Sequence, residues 1–507
     1  SKIYTVAFEG VKANTVTVET QFSPGLPSFA IVGLANKAVS ESRERIRACF
    51  QTLGFALPCQ RITVNLAPAD LQKDGSHYDL PIALGIMAAL NIIDRFELEK
   101  YIVLGEIRLD GTIAAITGTL PAAIQASANN LGIIIPKDCA KEATWAGDLP
   151  ILAAENIMQI VNHFKGRQLL SQPEPTPLSG SKNHYGDFQE IKGQTQAKRA
   201  AEIAAAGGHN LLLVGPPGAG KSMLASRIPS ILPDLTPQEA LEVTILHSLC
   251  GLVPENGLVT TRPYRAPHHS ASLPAMVGGG SKAKPGEISL SHHGVLFLDE
   301  LPEFHRQTLE SLRQPLETHE IAVSRVNNHI TYPANIQLIA AMNPCRCGYY
   351  GQEEKHCHRV PSCAREYQSK ISGPLIDRFD MILYIQPVSM EDLRNPQSLS
   401  QGEESALIAQ RVADARNIQA QRTADTDQKH IILNARLSGK MLEQHLHLTD
   451  SAKLLLDKAL EKLGLSARGY HRVMRVARTI ADLGQSHQTD HVHIAEALSY
   501  RHTMIGN

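Results

Sequence analysis

Gly215 to Ser222, GPPGAGKS, meets the spacing G-x-x-x-x-G-K-[S/T], whose chemistry is the cradling of nucleotide phosphates. Gly215, Gly218 and Gly220, with Pro216, Pro217 and Ala219 between them, let backbone N–H groups turn inward. Lys221 supplies a compact positive charge and Ser222 a hydroxyl for Mg²⁺, and Met223 continues into a helix whose N-terminus faces the phosphates. A second run, VLFLDE, ends in paired carboxylates. Asp299 is placed to hold the Mg²⁺, and Glu300 to orient the attacking water as general base. A third run, IQLIAA, leads to Asn343, a polar side chain where the γ-phosphate and water would sit. The three together read as nucleotide hydrolysis, with ATP and Mg²⁺ as cofactors.

Those residues need a scaffold that brings strand ends together. Leu211 to Val214 and Val295 to Leu298 are unbroken apolar runs, the pattern of strands buried on both faces of a parallel sheet. MLASRI after the lysine reads as a helix start, so the expectation is an α/β core with its ligand at the carboxyl edge of the sheet.

Cys345, Cys347, Cys357 and Cys363 crowd into a short loop directly after Asn343, interleaved with His356 and His358. The loop is dense in glycine and charge and cannot build its own core. A tetrahedral Zn²⁺ would fold it outright, with either histidine able to replace a cysteine; reduced thiols in a mobile loop are the alternative.

The whole chain sets the bounds. At 507 residues, two to four domains are expected. A formal net charge of -1, with 43% hydrophobic and 20% charged residues, gives no global basic field. A nucleic-acid partner would have to be held by local patches, for instance inside a ring. The opening SKIYTVAFEG lacks the apolar run of a signal peptide, and no apolar stretch has membrane-spanning length, so a cytoplasmic location without membrane contact is expected. Eight cysteines then mean thiols or metal ligands rather than disulfides.

Residues 1–165 alternate strand-like and helix-like runs, an α+β domain, and YIVLGEIRLDGTIAAI reads as a hairpin turning at Asp110-Gly111. KDGSHYDL and GEIRLDGTIAAITGTLPAA resemble the proteolytic domain of Lon proteases, of the ribosomal S5 domain 2-like class. The resemblance implies the fold but not the activity. The family's nucleophile falls at His77, with Ser76 one place early, and its lysine at Pro121, which leaves no base to take a proton. Residues 166–186, rich in Pro, Ser and Gly, read as a linker, 187–388 as the ATPase core with the cysteine loop at 345–363, and 389–507 as a helical lid with three helices after Asn434.

GHNLLLVGPPGAGKS, RPYRAPHHSAS, VGGGSKAKPGEISLSHHGVLFLDELPEF, AMNPC and SGPLIDRFD resemble the magnesium-chelatase-like AAA+ ATPases of the ComM (YifB) type, and the likeness runs essentially the full length. It implies a homo-hexameric DNA helicase that drives branch migration on single-stranded or branched DNA during natural transformation and recombination. By the same resemblance Arg378, in GPLIDRFD, is the arginine finger that reaches the adjacent subunit's γ-phosphate. An internal pair with Asp377 or Asp380 is the alternative. Arg475 best matches the sensor arginine of the lid, Arg472 and Arg478 being close alternatives in a helix whose arginines, Arg468 included, share a face. Lys282 and Lys284 beside Gly278 to Gly280, and Arg325 near the turn of a hairpin around Asn327-Asn328, would line a ring's channel and contact DNA phosphates, unless they are ordinary exposed loops. Two rival functions share the same core: a chelatase motor driving metal insertion into a tetrapyrrole, and an ATP-dependent protease.

Overall fold

The computed structural model describes residues 1–175, 185–280, 283–324, 329–350, 357, 359, 361–387, 403–423, 432–463 and 466–501. The N-terminal unit is built on a seven-stranded mixed sheet. Its order is Ser28–Val32, Arg61–Ala67, Lys12–Ser23, Lys2–Glu9, Tyr101–Val103, Gly132–Pro136 and Ile151–Ala154. The middle strands pair antiparallel and the outer ones parallel. Helices Lys37–Thr52 and Asp79–Ala89 cover one face; the second is apolar all round because it is buried all round. The hairpin expected at Asp110-Gly111 forms between Glu106–Ile107 and Ile113–Ala114.

The central unit is a five-stranded, wholly parallel sheet in the order Tyr264–Arg265, Val295–Leu298, Gln337–Met342, Leu211–Val214, Met381–Tyr384. Alternation along each strand explains why the apolar runs are unbroken. Leu211, Leu213 and Phe297 pack into one core with helix Thr195–Gly207 and the C-terminal helices, while Leu212, Val214 and Leu298 pack into another on the opposite face. Both faces are covered, so every position must be apolar. Asn210 fixes the amino edge, accepting from Leu338 N at 2.8 Å, donating from its amide to Arg378 O at 2.9 Å, and donating its own N–H to Asp380 at 3.0 Å.

Helix Pro237–Cys250 joins the N-terminal and central units. A capping box between Thr236 and Glu239, with Pro237 in the first turn, starts it, and left-handed Gly251 ends it. Its Ser248 donates to the buried Glu142 carboxylate of the N-terminal unit, which also accepts Leu120 N at 2.8 Å. Gly118 N donates to Ser248 O at 3.1 Å.

The C-terminal unit is helical: Ser405–Thr423, Gly439–Leu446, Asp450–Leu463, Ala467–Leu483 and His491–Ser499. Among the described residues four α-helices, not three, follow Asn434, the first two parted at left-handed His447. Among the described residues no helix is long and apolar enough to cross a membrane.

Candidate active site

The three sequence runs end side by side at the carboxyl edge of the parallel sheet. Lys221 sits at the start of helix Lys221–Arg227, behind left-handed Gly220, and its ammonium folds back into the loop. It donates to Gly215 O at 2.7 Å, Pro216 O at 2.9 Å and the Asn343 carboxamide at 3.1 Å. Burial lowers its pKa, opposed by the charges of Asp299 and Glu300. Phosphate oxygens would take over from the carbonyls and restore a full counter-charge.

The Ser222 hydroxyl donates to Asp299 at 2.5 Å, so the two oxygens suited to Mg²⁺ already meet. Glu300 is held at φ +50°, a left-handed conformation uncommon outside glycine, and its N–H returns to Asp299 at 2.9 Å. That turn aims its carboxylate outward, where His269 Nδ1 lies 3.4 Å away. His269 was not singled out as a site residue. Its signal was the His-His pair in RPYRAPHHSAS, on the loop that follows the strand paired with Val295–Leu298.

Below that strand, His292 and His293 converge on Glu242 of helix Pro237–Cys250, with Nε2 to oxygen distances of 3.4 and 2.9 Å. The three could be mistaken for a metal trio. The backbone N–H of Asn335 donates to His292 Nδ1 at 2.9 Å, so the neutral ring carries its proton on Nε2 and donates to Glu242. The trio is therefore a hydrogen-bonded root for the carboxylate strand. Burial pushes the His292 imidazole down to about 4, with Glu242 opposing and His293 and Arg436 adding to the fall. The neutral ring's contribution is complete above the unfolded value of 6.5 and is lost as pH drops toward 4, a cost of about 3 kcal/mol at the acid end. Thermal melts between pH 7 and 4.5 should show a shallower fall in Tm for His292→Asn than for the parent; equal slopes would refute this assignment.

The arginines gather at the other edge. Arg378, Arg436, Arg468, Arg472 and Arg475 line a cavity of about 360 Å³ beside Asn210, at the amino end of the phosphate-loop strand. Arg378 pairs with Glu317, rather than with Asp377 or Asp380, and Arg472 stands 3.6 Å from Asp377. Arg378 Nε, Arg472 Nη1 and Arg475 Nε are buried without a hydrogen-bond partner. Burial lowers the pKa of Arg472 and Arg475, with Asp380 opposing in both. Arg478 does not join them. It is 1% exposed and bonded to Asp482, Ser486 O, His487 O and Thr489, a core residue of the helical unit. Among the described residues, no arginine bonds to Lys221, Ser222, Asp299, Glu300 or Asn343.

Cys345, Cys347, Cys357 and Cys363 bring their sulfurs within 4.8 Å of one another. A tetrahedron with Zn–S of about 2.3 Å fits that spread. The N–H of Tyr349, together with the neighbouring thiols, holds the Cys347 thiol down to about 7. His356 and His358 lie outside the described residues, as do Lys282 and Arg325. Lys284, expected in the channel, lines a cavity of about 270 Å³ against the N-terminal unit with Asp74, Ser76, His77 and Glu106. Ser76 donates to Glu106, His77 Nε2 lies 2.9 Å from Val6 O, and Pro121 is buried in helix Thr119–Ala128.

Residues 187–393 match the family described as magnesium chelatase, subunit ChlI; residues 18–139 match the subunit ChlI of Mg-chelatase, and 402–501 the ChlI C-terminal family. The chain is 43% identical over 503 residues to the competence protein ComM of Haemophilus influenzae, covering 98% of this chain and 97% of that one. It is 43% identical over 502 residues to YifB of Escherichia coli, covering 99% and 97%. A Mycobacterium tuberculosis protein is 38% identical over 510 residues, covering 99% and 98%. With the phosphate loop, paired carboxylates and parallel sheet in place, the chain belongs to the ComM/YifB family of magnesium-chelatase-like AAA+ proteins.

Proposed function

We propose that this chain is the subunit of a homo-hexameric, ATP-driven DNA motor that promotes branch migration. Each site of turnover would be completed by a neighbouring protomer. The observation that carries the reading is the separation of charges: the phosphate loop and carboxylates stand at one edge of the sheet, a cluster of guanidinium groups, three of them with a buried N–H lacking an acceptor, at the other. A cluster of guanidiniums whose N–H groups are only partly met favours an anion, and their own protomer's phosphate cradle lies a strand length away. A neighbour's γ-phosphate supplies that anion, with Arg378 as finger and Arg475, beside Arg472, as sensor.

In this reading Lys221 and the loop N–H groups hold the phosphates, and Ser222 and Asp299 hold Mg²⁺, which neutralises charge on the β- and γ-phosphates when bound. Glu300 takes the proton of the attacking water once it is released from His269, and Asn343 fixes that water against the γ-phosphate. The four cysteines hold a structural Zn²⁺. The N-terminal unit is a Lon-like module without protease activity, since the Ser76 hydroxyl is engaged by the Glu106 carboxylate and, among the described residues, no lysine bonds to it. What supports DNA as the load is kinship with a competence protein.

The test is ATP turnover with forked DNA, with porphyrin, and with unfolded protein, followed by strand displacement on a four-way junction. Stimulation by branched DNA, and displacement that a Lys221→Ala protein cannot perform, is the expected result. Stimulation by porphyrin or unfolded protein alone would replace the DNA reading with the corresponding rival.

A further inference from the structure

The cysteine cluster is built onto the phosphate site. Asn343, whose carboxamide accepts from Lys221, is two residues from Cys345, and the peptide between them is pinned by Gln368, which donates to Pro344 O at 2.9 Å. The turn that follows is closed by Gly348 N donating to Cys345 O at 3.0 Å. Gly348 has φ +84°, and a Cβ there would lie 2.5 Å from Pro217 Cδ, so the turn's backbone rests directly on the phosphate loop. Only glycine permits that approach.

The other two sulfurs come from across the loop. Cys363 begins helix Ser362–Gln368, the helix whose far end carries Gln368. A metal bound to all four thiols would tie the turn to that helix at one end while Gln368 ties it at the other. Among the described residues, the apolar packing around the thiols is a small cluster of Cys345, Cys357 and Ala364 with Tyr350 and Cys363 at its border. So small a cluster cannot by itself offset the ordering entropy of the loop.

We propose that Zn²⁺ at Cys345, Cys347, Cys357 and Cys363 acts as a brace on the nucleotide site, setting the position of Asn343 and the outer wall of the phosphate loop through Gly348 and Pro217. Metal occupancy then governs nucleotide affinity, not merely the order of a distant loop. This rests on the zinc assignment above and deepens it. The residues concerned are positioning residues: they act through Pro217 and Asn343.

The experiment measures zinc content, and separately the affinity for a fluorescent ATP analogue, in protein purified without chelator. About one zinc per chain is expected. Stripping it, or substituting Cys363→Ser, should weaken analogue binding by roughly tenfold to a hundredfold, the scale of one charge-assisted hydrogen bond lost at the phosphates. Re-adding zinc should restore the stripped parent but not the variant. Because stripping could disturb the fold more widely, a Pro217→Gly protein provides the second arm. It should keep its zinc, bind the analogue more weakly, and lose little further affinity on stripping, the non-additivity of two changes in one pathway. Absence of zinc would overturn both the metal assignment and the brace. Zinc present but removable with unchanged affinity, or full additivity with Pro217→Gly, would overturn the brace alone.

Discussion

An Arg378→Ala protein should hydrolyse ATP slower by roughly 10³-fold or more, the contribution of a guanidinium completing a phosphoryl-transfer site, while binding nucleotide almost as the parent does. The split follows from placement. Arg378 is absent from its own phosphate cradle; it lies against Glu317 and Pro374 O at the amino edge of the sheet. Its loss should barely disturb folding, since Glu317 is half exposed and keeps Arg468 within 3.7 Å. Mixing Arg378→Ala subunits with Lys221→Ala subunits should recover activity, because each mutant supplies the half-site the other lacks. A mixture inactive at every ratio, or an Arg378→Ala protein at full speed, would refute a shared site.

Lys221→Ala should lose both steps. The ammonium makes three hydrogen bonds within the loop and would exchange them for phosphate oxygens. Each bond to a charged partner contributes about 1.5–3 kcal/mol, so ATP affinity should fall by at least about 10²-fold. Turnover at saturating ATP should fall by a further 10²- to 10³-fold or so, because the same charge meets the developing negative charge of the transition state. Nucleotide titration and steady-state hydrolysis separate the two losses. A variant that turns over ATP within a few-fold of the parent would remove Lys221 from the site.

These expectations could be framed from sequence because the phosphate loop is local: eight consecutive residues carry the chemistry, and the four apolar residues before them announce the strand. The paired carboxylates and Asn343 are legible for the same reason, each ending an apolar run whose direction is common to a parallel sheet. The arginines were not legible in this way. Spacing in Ala467–Leu483 shows which residues share a helix face, but not which edge of the sheet that face meets. Arg478 falls in the same periodic series as Arg475, yet it turns inward, where it shares the fully buried Asp482, one helical turn on, with Arg422. Lys284 looked like part of a channel loop because its neighbours are glycines and lysines. Only the packing of two units against each other shows it beside Ser76 and Glu106. His269 and Glu242 were hidden likewise, since each meets its partner across some thirty to fifty residues of chain.

The carboxylate of Glu142 sits in a buried seam, raised in pKa by that burial and satisfied by a serine hydroxyl and a backbone amide from the two sides of the seam. Sliding one side past the other would take away the serine hydroxyl and leave the buried acid with the Leu120 amide alone. The serine rides on the same helix whose Glu242 grips the histidines beneath the carboxylate strand. A rotation of the N-terminal unit would then be felt at the base of the strand that ends in Asp299 and Glu300, because one helix carries both contacts.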